Sequence, residues 1–130
     1  PLEKNPVFLY LEDHFQKPYP FQPDITVDIT NTYEKKIAGL DAHESQMYEW
    51  LPWTGGKLDE VPKNKEDRIK FLRQNWGGNI TPEERKNLIK WYGKEHGENV
   101  KYAESFEVCE YGKQPSEEEI KQLFPMLDHK

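Results

Sequence analysis

Asn31–Leu51 reads NTYEKKIAGLDAHESQMYEWL, and the fold turns on this stretch. Tyr33, Ile37, Leu40, Met47 and Leu51 recur at three- and four-residue steps or their sum, which makes one apolar stripe. The spacing predicts a single amphipathic helix over 31–51. Asn31 is its expected N-cap, Glu34 closes a capping box, and Pro52 stops it. His43 falls between Leu40 and Met47, where a core residue is expected, and Gln46 and Trp50 follow at i+3 and i+7 on its side. A stripe interrupted by one imidazole and one amide is either a satisfied polar core or the wall of a site.

The flanking segments supply the partners of that helix. Val7–Leu11 is a continuous apolar run, the pattern of a strand buried on both faces. Residues 12–24 are proline-rich and irregular, and Ile25, Val27 and Ile29 then alternate with polar residues as a short half-buried strand. Pro52–Asn64 reads as a long loop anchored by Trp53. Asn64 caps a second helix, KEDRIKFLRQNW, which Gly77-Gly78 ends. Thr81, Pro82 and Glu84 open a third, expected to run to about His96 with Gly97 as its stop. Val100–Tyr111 is the third strand, with Val100, Tyr102, Phe106 and Val108 on one face and Glu104 among them. Ser116 opens a last short helix through Phe124, and Pro125 ends it. Three strands and four helices in a single domain spanning 1–130 make an α/β layout. Three strands are a thin sheet for this much helix, which points to strands outside the chain.

Bulk properties exclude several functions. A net charge of −6 argues against nucleic acid, whose phosphates need clustered Lys and Arg. No apolar run reaches the roughly 20 residues of a membrane span. The single Cys109 can form neither an internal disulfide nor a cysteine zinc site, and one cysteine leaves the compartment open. Cys109 itself reads as a small buried apolar residue. His43-Glu44 begins like H-E-x-x-H, but position 47 is Met, and His14, His43, His96 and His129 share no ligand spacing. No metal ligand and no catalytic residue is assigned within these 130 residues.

Two anomalies remain, His43 on the helix stripe and Glu104 on the apolar strand face. A buried carboxylate is costly unless paired. We therefore expect the two faces to lie close, with Glu104 bonded to His43, Ser45, Gln46 or backbone N–H groups. A satisfied core network is the alternative.

Four pieces of the chain then fall into a familiar order: PDITVDIT at 23–30, EKKIAGLDAHESQ at 34–46, YAESF at 102–106 and GKQPSEEEIKQLFP at 112–125. Together they resemble the C-terminal half of the PIG-L/LmbE-like N-deacetylases, zinc enzymes that remove acetyl groups from N-acetylglucosamine-type sugars. The segment 52–98 is longer and richer in Trp than in the simplest members. That family draws two His and one Asp as zinc ligands, and an Asp base, from a His-Pro-Asp-Asp stretch and a Pro-Asp-His-like segment. Here no His precedes a Pro, and Pro23-Asp24 is followed by Ile.

The resemblance implies the C-terminal portion of a Rossmann-like fold whose sheet is incomplete in this chain. It implies a missing N-terminal half as partner and an acetylated amino sugar as substrate. In the intact enzyme a zinc-activated water attacks the acetamide carbonyl; this chain alone is expected to be inactive. His43, Gln46, Tyr102 and Glu104 become candidates for the substrate wall or for support behind it. The alternative, from another class, is a non-catalytic carbohydrate- or protein-binding module using Trp53 and Trp76.

Overall fold

The computed structural model describes residues 3–76 and 78–128; Gly77 of the expected helix stop and His129 lie outside the described residues. The chain divides into two compact units. One takes the residues up to Ile29 and from Ile80 onward, the other Thr30–Asn79. Among the described residues there are three strands and six α-helices, an α/β composition. No described helix is long and apolar enough to cross a membrane.

The first unit is built on an open antiparallel sheet of order β1-β3-β2, with β1 at Val7–Leu11, β2 at Ile25–Asp28 and β3 at Ala103–Gly112. Helix α4 (Pro82–Tyr92) packs on β2, and α5 (Lys94–Asn99) packs back on α4. Ile25 and Val27 of β2 are buried with Trp91, Ile120 and Leu127, and Leu9, Phe106, Val108 and Phe124 pack on that cluster. Ile120 comes from α6 (Glu117–Leu123) and Leu127 from the 3-10 turn after it.

The two short strands exchange their expected burial. Val7–Leu11 does not lie between two layers: it is an edge strand with Phe8, Tyr10 and Leu11 exposed. Ile25, Thr26 and Val27 are all buried instead. The polar member of that run tolerates burial because the Thr26 and Ser105 hydroxyls are hydrogen-bonded at 2.9 Å.

Local signals set the first unit's helix starts. Thr81 Oγ1 accepts the Glu84 N–H at 3.2 Å while Glu84 Oε2 accepts the Thr81 N–H at 2.8 Å, and Ser116 and Glu119 repeat the arrangement on α6. The expected single helix to His96 is two helices. Gly93 takes φ +81°, a conformation costly for any residue with a Cβ, and the chain turns there. Gly97 is not a stop but the contact point inside α5: a Cβ on it would lie 2.6 Å from the Ile89 backbone. Arg85 closes the far end, donating to the Gly97 and Val100 carbonyls at 2.5 and 3.0 Å.

In the second unit the predicted helix 31–51 is interrupted. Helix α1 covers Tyr33–Asp41, and Thr32, not Asn31, is its N-cap. His43 N–H turns to the Leu40 carbonyl at 3.0 Å, and helical structure resumes at Glu44, running into a π-turn at Gln46–Trp50 and α2 at Leu51–Thr54. Pro52 sits in the first turn of α2 rather than stopping the helix. Leu51, just before it, supplies the N–H that closes the i→i+5 turn on the Gln46 carbonyl. Tyr48 spans the interruption, its hydroxyl donating to Asp41 Oδ1 at 2.7 Å. Burial first, then that bond, holds the Tyr48 phenol well above its ordinary value.

Helix α3 (Lys65–Trp76) matches its predicted bounds, with Asn64 Oδ1 accepting the Asp67 N–H at 2.9 Å as the cap. It packs on α1, and Arg73 grips Glu34 through two bonds of 2.7 and 2.6 Å. Phe71 lies 6.5 Å from both Tyr48 and Trp76, and the Arg68 guanidinium stands 4.7 Å over the Tyr48 ring.

Candidate functional site

His43 does not occupy a core position. The turn at Ala42–His43 and the π-turn after it shift the helix face, so that Met47 and Tyr48 are buried while His43 and Gln46 are exposed. Trp50 and Trp53 are 53% and 66% exposed, so Trp53 is not the loop's anchor. Trp76 is half-buried beside Phe71 and does belong to the packing. His43, Gln46, Trp50 and Trp53, three or four residues apart in sequence, are thus all exposed, a series of one imidazole, one amide and two indoles. Exposed indole faces and hydrogen-bonding groups on one segment suit a ligand with an apolar face and a hydroxylated rim.

Tyr102 and Glu104 belong to the other unit. Both are half-buried. The Tyr102 carbonyl accepts the Ile29 N–H at 2.9 Å, extending the β2–β3 ladder by a step. Glu104 stands opposite Val27 in that ladder, two residues before Phe106, as the alternation predicts. The structure thus places the four candidates as two pairs, His43 with Gln46 on one unit and Tyr102 with Glu104 on the other.

Three polar features of the first unit were missed in sequence. On the sheet face opposite Glu104, Ser105 donates to Glu84 Oε1 at 2.8 Å and its Oγ lies 2.9 Å from that of Thr26. Asn87 joins them by donating to Thr26 Oγ1 at 3.5 Å, and it also donates to the Pro23 carbonyl at 2.5 Å. Beside this network a cleft of about 240 Å³ is lined by Glu12, Asp13, His14, Thr81, Glu83 and Glu84 among others. At the end of β2, Asp28 Oδ2 lies 2.7 Å from His96 Nε2, and the Tyr92 ring stacks on His96 with centroids 4.9 Å apart. Tyr92 also accepts the Asp28 N–H, and burial pushes its phenol above the ordinary value. The polar residues alternating within ITVD are the one sequence signal for these contacts.

Among the described residues no group of three or more His, Cys, Asp or Glu is arranged to hold a metal ion. No protein-family model matches the chain, and neither curated proteins nor solved structures yield a match.

Proposed function

We propose that this chain is part of a zinc-dependent hydrolase that N-deacetylates an N-acetylglucosamine-type sugar. In this reading it supplies scaffold and substrate wall, and the metal ligands lie outside the described residues. The observation that carries the reading is the exposed series His43, Gln46, Trp50 and Trp53, at and just beyond the segment EKKIAGLDAHESQ on which the family resemblance rests. Indole faces stack on the apolar face of a pyranose, and the Gln46 amide and His43 imidazole can bond its hydroxyl or acetamido groups. The open sheet supports the second half of the reading: among the described residues β1 has only β3 beside it, and it exposes Phe8 and Leu11, a surface suited to the remainder of a larger domain.

The same indoles favour a second reading, a non-catalytic carbohydrate-binding module. Calorimetric titration with N-acetylglucosamine oligomers, wild type against Trp50→Ala and Trp53→Ala, tests the wall that both readings share. Binding by wild type that falls at least tenfold in the variants supports it; binding that both variants retain removes it. Acetate release by the protein expressed from the complete gene separates enzyme from module.

A further inference from the structure

A second groove, of about 260 Å³, lies wholly within the first unit, between the proline-rich segment and strand β3. Tyr10, Phe15, Tyr19 and Phe21 supply its aromatic lining, and Asp13, Glu107 and Glu110 supply carboxylates against the one ammonium of Lys17. Phe15 and Tyr19 are 73% and 79% exposed, so neither ring is held there by core packing. The carboxylates are fixed in place: Glu107 Oε2 accepts the Gln22 N–H at 3.1 Å, Glu110 Oε2 the Tyr10 hydroxyl at 3.1 Å, and Asp13 Oδ1 the Phe15 N–H at 2.9 Å.

Aromatic faces and fixed carboxylates around one small space are the two halves of cation recognition. The rings attract a cation through their quadrupoles, and the carboxylates pair with it directly. The volume falls just under the roughly 300 Å³ at which drug-sized pockets begin, which suits a ligand of about one sugar ring. We propose that this groove binds an amino sugar through its protonated amine, the aromatic rings stacking on the pyranose and the carboxylates holding the ammonium. The choice of a sugar as the carrier of the amine rests on the deacetylase reading, since deacetylation converts a neutral acetamide into an amine that is charged at neutral pH. The groove then holds the product form in preference to the substrate form.

Calorimetric titrations at pH 6 with glucosamine oligomers, N-acetylglucosamine oligomers of equal length and spermine test this. The glucosamine oligomer is expected to bind at least tenfold more tightly than the other two. Glu107→Gln with Glu110→Gln should weaken it at least tenfold, and Phe15→Ala with Tyr19→Ala to a similar extent, with unchanged thermal melts because the altered side chains carry no core packing. Equal affinity for the acetylated oligomer overturns the role of the amine, and equal affinity for spermine overturns the role of the sugar. No binding, or binding that the variants retain, overturns the site. The groove and the enzyme fail separately: acetate release with no glucosamine binding removes the groove alone, and glucosamine binding with no acetate release removes the deacetylase alone.

Discussion

Ser105 donates its hydroxyl proton to Glu84 at 2.8 Å, and both side chains are almost wholly buried. The bond ties the middle of β3 to the first turn of α4, and the same carboxylate accepts the Thr81 N–H. Glu84→Ala removes both acceptors at once, taking the side-chain cap from the Thr81 N–H and leaving the Ser105 hydroxyl with Thr26 alone. The expected loss is about 3 kcal/mol of unfolding free energy in urea titrations, with Glu84→Gln losing about half as much because one acceptor remains. Equal, small losses in both variants would show that the bond contributes little.

Gly97 and Gly39 separate close packing from helix propensity. Gly97→Ala places a methyl group 2.6 Å from the Ile89 backbone, so α5 must move off α4. We expect about 2 kcal/mol of destabilisation. A Cβ on Gly39 meets nothing within 4 Å inside α1, and Gly39→Ala is expected to stabilise by about 0.5–1 kcal/mol. Thermal melts of the two variants should move in opposite directions; a shift of the same sign would contradict the packing described.

Acid should loosen α6. The Lys113 ammonium, then the Ser116 N–H, holds the Glu119 carboxyl below its ordinary value of 4.5, and Lys90 does the same for Glu117. A carboxyl whose folded-state value is lowered stabilises the fold above its ordinary value, and that contribution is lost as pH falls through the lowered one. The α6 amides should therefore lose hydrogen-exchange protection below about pH 4, and added salt should have the same effect at neutral pH because both pairs are exposed. Protection that is flat from pH 6 to 3 would contradict this.

Trp50 and Trp53 should be dispensable for stability. Replacing either by Ala is expected to change unfolding free energy by less than about 0.5 kcal/mol, against about 3 kcal/mol for Phe71→Ala. Urea titrations of the three variants check it, and a large loss at Trp53 would restore it as an anchor.

Elements with their own end signals were legible in the sequence. Helix 65–76 and the starts of α4 and α6 follow from Asn64, Thr81 and Ser116, whose side chains act within four residues of themselves. Burial was less legible because it depends on the layer that arrives from elsewhere. Val7–Leu11 has the more apolar pattern yet lies at an edge, and Thr26 is buried because Ser105, 79 residues on, meets its hydroxyl. The series from His43 to Trp53 was half legible. The spacing put His43, Gln46 and Trp50 on one side, but periodicity at 3.6 residues cannot register a turn at Ala42–His43 or a π-turn, and these decide that the side faces outward.

The most direct test is acetate release from an N-acetylglucosamine substrate, with zinc content measured on the same samples. The protein expressed from the complete gene is compared with the 130-residue chain and with the complete protein carrying His43→Ala or Trp50→Ala. We expect zinc and acetate release in the complete protein only, with KM raised at least tenfold and zinc retained in both variants. Zinc binding and acetate release by the 130-residue chain alone, or neither in the complete protein, would contradict the assignment.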